Sequence, residues 1–265
     1  MKVADFQELV WGKNQELFRP MPWRDDPSFY RVLVSELMLQ QTQVARVLVK
    51  FEEFMHIFPT IGALANASLA DVLRAWQGLG YNRRAKYLHD AAKYVAKHGQ
   101  PKTIDELVKL PGVGRNTAGA IMNYVYENPT PFIETNIRSV YIRHFFSNEI
   151  SVADHNIYEL VEKTLDDEHP REWFWALMDY GSWLKAQGAG NVSLSQHYRK
   201  QAPLKGSVRE VRGQILKQLS EVAEMSLDVL RIQLQADERF DTALEGLKRD
   251  GLIECRDAII HLTKR

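Results

Sequence analysis

Residues 110–118 read Leu110-Pro111-Gly112-Val113-Gly114-Arg115-Asn116-Thr117-Ala118, and this stretch decides how the rest of the chain is understood. The pattern predicts a short amphipathic helix before it, over about residues 104–109, and a helix of small and apolar residues after it, over about 117–125. Pro111 stops the first helix, and Gly112 and Gly114 permit a tight turn whose backbone N–H groups point outward. The second helix starts at that turn, so its free N–H groups and positive dipole end face the same way. A turn of this kind grips a phosphate without reading a base. For the two glycines alone, a plain helix–turn–helix connection is the other reading.

The bounds on the remainder are wide. A chain of 265 residues can bury a sizeable core and is expected to hold one large domain and a small one. Its 45% hydrophobic and 26% charged residues are those of a globular protein. Lys+Arg and Asp+Glu balance at 34 each, so net charge does not announce a nucleic-acid partner, although a neutral total can hide a basic face. The single cysteine, Cys255, excludes an internal disulfide and any metal cluster built on cysteines. Charges inside the apolar run of residues 1–13 argue against a signal peptide. No run of about 18 apolar residues is present, so no membrane span is expected and a reducing, cytoplasmic location fits.

Outward from the hairpin the pattern is helical. Residues 5–18 form a short amphipathic helix, residues 23–27 a loop, and residues 30–54 one long apolar helix through the core. Within it, Glu36 stands among apolar neighbours, either as a buried acid or on a polar stripe with Arg31 or Gln40. Helices over 68–76 and 83–98 flank the turn Gly78-Leu79-Gly80-Tyr81. Arg83, Arg84 and Lys86 open the second of these as phosphate contacts or as a solvated basic face. Asn128-Pro129-Thr130-Pro131 is a breaker, residues 132–138 lead into a helix through Phe146, and helices follow over about 154–165 and 171–186. Everything before residue 205 reads as all-α. The tail changes character: helices over 208–222, 226–235 with Ser226 as N-cap, and 240–250 ended by Gly251, then two short strands around Arg256-Asp257. Three helices and a β-hairpin resemble a winged helix, a small α+β domain that often sits its third helix in a major groove. Here that helix region carries Asp237, Glu238, Asp241 and Glu245, which a phosphate backbone repels, so a protein-docking or structural wing stands beside a DNA reader.

Several motifs recur in one order. Pro22-Trp23-Arg24, SELMLQQTQV at 35–44, Phe58-Pro59, Leu64-Ala65, VLRAWQGLGYNRRAKYLHDAA at 72–92, LPGVGRNTAGAI at 110–121 and WALMDYG at 175–181 together resemble the adenine DNA glycosylases of the helix-hairpin-helix superfamily. These enzymes remove adenine mispaired with 8-oxoguanine. The resemblance covers about residues 5–205 and implies a two-module, all-α glycosylase domain over 1–205 with DNA in the cleft between the modules. A six-helix barrel module takes about 25–130, and a second helical module takes 1–24 and 131–205. The winged-helix-like domain is 206–265. The implied partner is double-stranded DNA holding a mispaired or damaged base, met by a monomer without a membrane.

The resemblance also implies roles. A glycosylase flips its base from the duplex and breaks a C–N bond, and the departing purine needs a proton. The family's acid falls on Glu36, whose apolar helix favours the protonated form. The sugar passes through an oxocarbenium-like state that a carboxylate stabilises. The family's aspartate in an Asp-Gly-Asn triplet falls on Glu134 of Glu134-Thr135-Asn136, one methylene longer. Gln41 and Thr42 match residues that wedge into the space the base leaves. Trp23, Arg24, Leu39, Asn116, Asn136 and Asp179 fall in the base pocket region. Gly80, Tyr81 and Arg83, and the hairpin residues Gly112, Val113, Gly114, Arg115 and Thr117, are the DNA contacts, with room for a monovalent or divalent cation at the hairpin.

Three departures shape the reading. Asn116 stands where related bifunctional enzymes carry a Schiff-base lysine, so no strong lyase activity is expected. The family's iron–sulfur ligands fall on Lys185, Val192, Ser195 and Gln201, none of them cysteine, so no cofactor is expected and packing must hold that loop. The tail is shorter than the family's lesion-inspecting α/β domain. A glycosylase for uracil, thymine or hypoxanthine, or a damage-binding protein of weak activity, are the alternatives.

Overall fold

The structure, a computed structural model, describes residues 1–198 and 202–264. In chain order the helices are α1 (Val3–Leu17), α2 (Pro22–Asp25), α3 (Phe29–Leu39), α4 (Val44–Ile57), α5 (Ile61–Asn66), α6 (Leu69–Ala75), α7 (Arg83–His98), α8 (Ile104–Leu107), α9 (Arg115–Tyr126), α10 (Thr135–Phe145), α11 (Asp154–Thr164) and α12 (Pro170–Ala186). A 3-10 turn at Val192–Leu194 precedes the tail, which runs α13 (Val208–Glu221), β1 (Met225–Ser226), α14 (Leu227–Gln233), α15 (Arg239–Arg249), β2 (Ile253–Arg256) and β3 (Ile259–Leu262). The chain is therefore all-α up to the small C-terminal sheet. Among the described residues no helix is long and apolar enough to cross a membrane.

Two compact units form. The first takes residues 1–32, 101–109 and 113–200, the second 33–100, 110–112 and 201–265. The tail groups with residues 33–100 because α13 packs on α6 as well as on α15. Asp250 also bonds Arg212 at 2.5 Å and Arg83 at 3.5 Å, tying the tail to α7. Helix α9 belongs to the first unit and packs on α12.

In the first unit α12 is the central helix, with α1 and α10 both packed on it. Phe6, Tyr141 and Trp173 are fully buried around the junction, with Phe6 5.1 Å from Tyr141 and 6.1 Å from Trp173 between ring centroids. Burying an aromatic side chain of this size contributes about 1.5–3 kcal/mol. Gly181 of α12 faces the start of α10, where any Cβ would overlap the Asn136 carbonyl. Only glycine lets the two helices meet there.

In the second unit Trp76, Phe51, Phe54, Leu64 and Leu88 are wholly buried. Thr60 and Ser68 cap α5 and α6, accepting hydrogen bonds from the N–H groups of Ala63 and Asp71. The long helix expected over 30–54 is two helices. Gln41 lies at φ 59°, in the left-handed region, and Thr42 N–H turns back to the Leu39 carbonyl at 3.2 Å. Apolar residues continue on both sides of the break, so the periodicity conceals it. The loop expected over 23–27 likewise contains α2, with Pro22 at its first turn, and α5 was not anticipated.

The tail has the helix–strand–helix–helix–hairpin order of a winged helix. Its antiparallel sheet runs β1-β3-β2, with Met225 opposite Ile260 and Ile253 opposite Leu262. Three of the four acids named in the α15 region are matched locally, Asp237 with Arg239, Asp241 with Arg231 and Glu245 with Lys248, and Glu238 is exposed.

Candidate active site

Glu36 lies near the C-terminal end of α3, in the second unit. Its sequence neighbours Ser35 and Leu37 are both 0% exposed, whereas Glu36 itself is only half-buried. The carboxyl group therefore stands at the edge of a sealed helix face rather than inside the core. Leu39, also half-buried, ends the same helix.

The helix end is held by Arg84. At 5% exposure this side chain cannot reach DNA, which corrects its expected role as a phosphate contact. Nη1 donates to the carbonyls of Leu37 at 2.7 Å and Met38 at 2.8 Å, which a helix end leaves without intrahelical partners. Nη2 donates to Thr42 Oγ1 at 3.0 Å and to the carbonyls of Leu79 at 3.2 Å and Gly80 at 2.9 Å. One guanidinium thus ties the loop carrying Gln41 and Thr42 to the turn carrying Gly80 and Tyr81. Burial lowers its pKa to about 10, which leaves it charged at neutral pH. Lys86 is paired with Asp90 at 2.6 Å, so of the three basic residues Arg83 alone is exposed.

Gln41, Thr42, Gly80, Tyr81 and Arg83 line one cavity of about 870 Å³ within this unit. Gly80 and Tyr81 both adopt positive φ, 69° and 48°, which turns the Tyr81 ring outward from the start of α7. It lies against two guanidinium groups, Arg84 at 5.5 Å and Arg209 at 5.2 Å from the ring centroid.

The two hairpin glycines serve different ends. Gly112, at φ 79°, packs where a Cβ would come within 2.9 Å of Tyr87 Cβ and 3.3 Å of Leu37 Cδ2. Its carbonyl accepts a hydrogen bond from Gln40 Nε2 at 3.2 Å. Gly114, the N-cap of α9 at φ −87°, has open space around its missing side chain. Val113 is buried, leaving only its backbone for a ligand, whereas Arg115 and Asn116 are exposed and Thr117 half-buried. Gly114→Leu is therefore expected to fold and melt like the parent yet bind every duplex more weakly, whatever its sequence, because phosphate contacts position without specifying. Gly112→Leu should lose stability first. Parent-like affinity of folded Gly114→Leu, read by fluorescence anisotropy, refutes the phosphate cradle.

Glu134 belongs to the first unit and is the N-cap of α10. Its Oε1 accepts from the N–H groups of Asn136 at 2.6 Å and Ile137 at 3.2 Å. Burial pushes its carboxyl above the ordinary range, against the pull of those N–H groups and of Arg138. The approach to it is fixed by buried Asn123, whose Nδ2 donates to the carbonyls of Gly119 and Thr130, both at 2.7 Å. Asn136 is half-buried, with its backbone against Gly181. Asn116 and Ile133 line a cavity of about 250 Å³ together with Asp154, His155 and Tyr158. Those last three lie in no motif and were not found from the sequence.

Arg24 and Asp179, expected in the base pocket, are turned toward each other. Arg24 Nη1 and Nη2 reach the Asp179 oxygens at 2.7 and 3.0 Å, and Arg19 adds Nε at 2.7 Å and its backbone N–H at 3.1 Å. Four donors saturate the carboxylate. The triad fastens the turn carrying buried Trp23 to α12, and breaking such a buried pair costs about 3–5 kcal/mol.

The residues at the cluster positions do not fit an iron–sulfur centre. Lys185, Val192 and Ser195 offer no thiolate, Gln201 lies outside the described residues, and Cys255 is on β2. Among the described residues no group of three or more His, Cys, Asp or Glu is placed to hold a metal. Backbone hydrogen bonds secure that segment instead, Val152 N–H to the Leu194 carbonyl at 2.8 Å and Gln196 N–H to the Val152 carbonyl at 3.0 Å.

The chain thus has a helical fold with a Gly-Val-Gly hairpin at a helix start and a carboxyl at the edge of an apolar helix. The sequence profile of the HhH-GPD superfamily of base excision DNA repair proteins matches residues 34–166, and the chain belongs to that superfamily. The adenine DNA glycosylase of Mycobacterium tuberculosis is 35% identical over 280 residues, covering 95% of this chain and 90% of that protein. That of Mycolicibacterium smegmatis is 33% identical over 278 residues, covering 96% and 94%. Coverage this complete runs well into the tail, so the short C-terminal domain has counterparts in those proteins. Among solved structures, a thermostable thymine-DNA glycosylase aligns with TM-score 0.59 at 21% identity over 74% of this chain and 94% of that one. A non-covalent endonuclease III–DNA complex aligns with TM-score 0.58 at 18% identity over 71% and 89%. These two show the shared fold.

Proposed function

We propose that the chain is a monofunctional adenine DNA glycosylase, hydrolysing the N-glycosidic bond of an adenine flipped out of a mispair with 8-oxoguanine or guanine. The observation that carries this reading is Glu36, half-buried between sealed neighbours at the end of α3, in a chain that follows adenine glycosylases along 95% of its length. In this mechanism Glu36 gives its proton to the departing adenine as the C–N bond breaks. The Glu134 carboxylate, oriented by Asn136 and Ile137 N–H, stabilises the positive charge left on the sugar. Water then adds at C1′ and releases a proton, giving free adenine and an abasic site. Asn116 has no amine to form a Schiff base, so the DNA strand is left uncut. Trp23 and Leu39 are each assigned to contact with the base, and Arg24 with Asp179 keeps the Trp23 helix in place. The enzyme works without an iron–sulfur cluster, as a monomer, in the cytoplasm with the DNA it repairs.

Single-turnover base release from a panel of duplexes tests this. Adenine opposite 8-oxoguanine or guanine is expected to leave fastest, with strand scission only after alkali. Release of uracil, thymine or hypoxanthine in its place overturns the base assignment. Tight binding with no base released identifies a damage-binding protein.

A further inference from the structure

The tail takes no part in the proposed chemistry. Winged helices often present the third helix to DNA, but here Asp237, Asp241 and Glu245 of that region are engaged with their own arginines and lysine, and Glu238 adds a further exposed negative charge. The first tail helix, α13, is placed differently. Arg209 near its start donates to the Tyr81 hydroxyl, lies 5.2 Å from that ring, and donates to the Ala202 carbonyl at 2.7 Å. The cavity that holds Gln41 and Tyr81 is thus completed by the tail.

The charge in this cavity is one-sided. Arg46, Arg83, Arg209 and Arg212 line it, with Asp250 as the acidic lining residue. Asp250 is already engaged by Arg212 and Arg83. Arg46 and Arg209 meet no carboxylate among the described residues, and Arg46 is exposed. Two guanidinium groups without counter-ions, Arg209 against the Tyr81 ring and Arg46 on the lining of the same cavity of about 870 Å³, suit a polyanion with a planar base beside it.

We propose that Arg209 of the C-terminal domain and Arg46 of α4 form a phosphate-binding subsite beside Tyr81 for the DNA backbone, so that the tail enters DNA binding through its first helix. This rests on the glycosylase reading above but not on which base is removed. Each phosphate neutralised by an arginine releases counter-ions, so losing one contact lowers the slope of log affinity against log salt by about 0.9.

The test is binding of an undamaged duplex across a salt series, with Arg46→Ala, Arg209→Ala and Arg209→Lys compared with the parent. Both alanine variants are expected to bind every duplex more weakly, each with a slope smaller by about 0.9, while Arg209→Lys keeps the parent slope. Thermal melting confirms that each variant is folded. Unchanged affinity and slope in folded alanine variants overturns the proposal. Equal weakening by Arg209→Ala and Arg209→Lys with the parent slope also overturns it, because Arg209 would then only support Tyr81. Undamaged duplex makes the outcome independent of base specificity. A parent that binds duplex but frees no adenine counts against the proposed activity and leaves this result standing.

Discussion

Glu36→Gln is expected to abolish base release while leaving duplex binding intact. General acid catalysis contributes about 10²–10⁴-fold in ordinary cases. Here the leaving group is a purine anion, poor without protonation, so the loss should reach at least that range. Glutamine has nearly the shape of glutamate, and the position is half-buried beside Ser35 and Leu37, both fully enclosed. The fold should therefore survive, and thermal melting checks it. Single-turnover release on the best duplex measures the chemistry, and an electrophoretic shift measures binding. If Glu36→Gln releases adenine at the parent rate, the proton comes from another group and the role assigned to Glu36 is wrong.

Glu134 gives the second large effect, and its structure separates two roles that coincide in one residue. As an N-cap its Oε1 accepts from Asn136 and Ile137 N–H, a task that glutamine's carbonyl oxygen can also perform. As an electrostatic partner it must carry negative charge. Glu134→Gln should then lose about 10²-fold or more in base release, the size typical of removing a preorganised electrostatic group. Its stability has a definite sign. A carboxyl pushed above its ordinary range binds its proton more tightly when folded, so the charged form works against folding as pH rises through that range. Removing the charge should leave the melting temperature at neutral pH unchanged or higher. Glu134→Asp is expected to be slower than the parent, because the shorter side chain draws the carboxylate back by roughly 1 Å, a displacement that can cost about 10²-fold. Parent rates for both Glu134→Gln and Glu134→Ala would reduce Glu134 to a helix cap.

How far the sequence could be read depended on how local each cause was. The hairpin, the ends of α7 and the order of tail elements follow from neighbouring residues, and the structure has them where spacing puts them. The break at Gln41 was hidden because apolar residues flank both sides and nothing in a Gln-Gln-Thr-Gln run demands a left-handed residue. The burial of Arg84 is not legible because its partners are mostly carbonyls, at the end of α3 and in the Gly80 turn, with the Thr42 hydroxyl between, and main-chain acceptors leave no mark on the sequence. Arg24 and Asp179 were singled out, but their mutual bond spans 155 positions and only the fold reveals it. Gly181 stands in the WALMDYG motif with no local cause, and its cause is the Asn136 backbone pressed against it. Arg209 and Tyr81 are separated by 128 positions, a gap that no local pattern could join.

The guanidinium of Arg84 has a consequence for the entropy of recognition. A loop ordered only on binding loses about 1–2 kcal/mol of backbone freedom per residue at that moment. The segments carrying Thr42 and Gly80 are instead clamped in the free protein by hydrogen bonds to one charged hub, itself anchored in the carbonyls of α3. That loss is met during folding, and incoming DNA finds a finished surface. The two segments also share this fastening, and Thr42 Oγ1 donates directly to the Leu79 carbonyl at 3.3 Å, so they do not loosen independently: what releases the hub loosens the Gln41 loop and the tyrosine turn together.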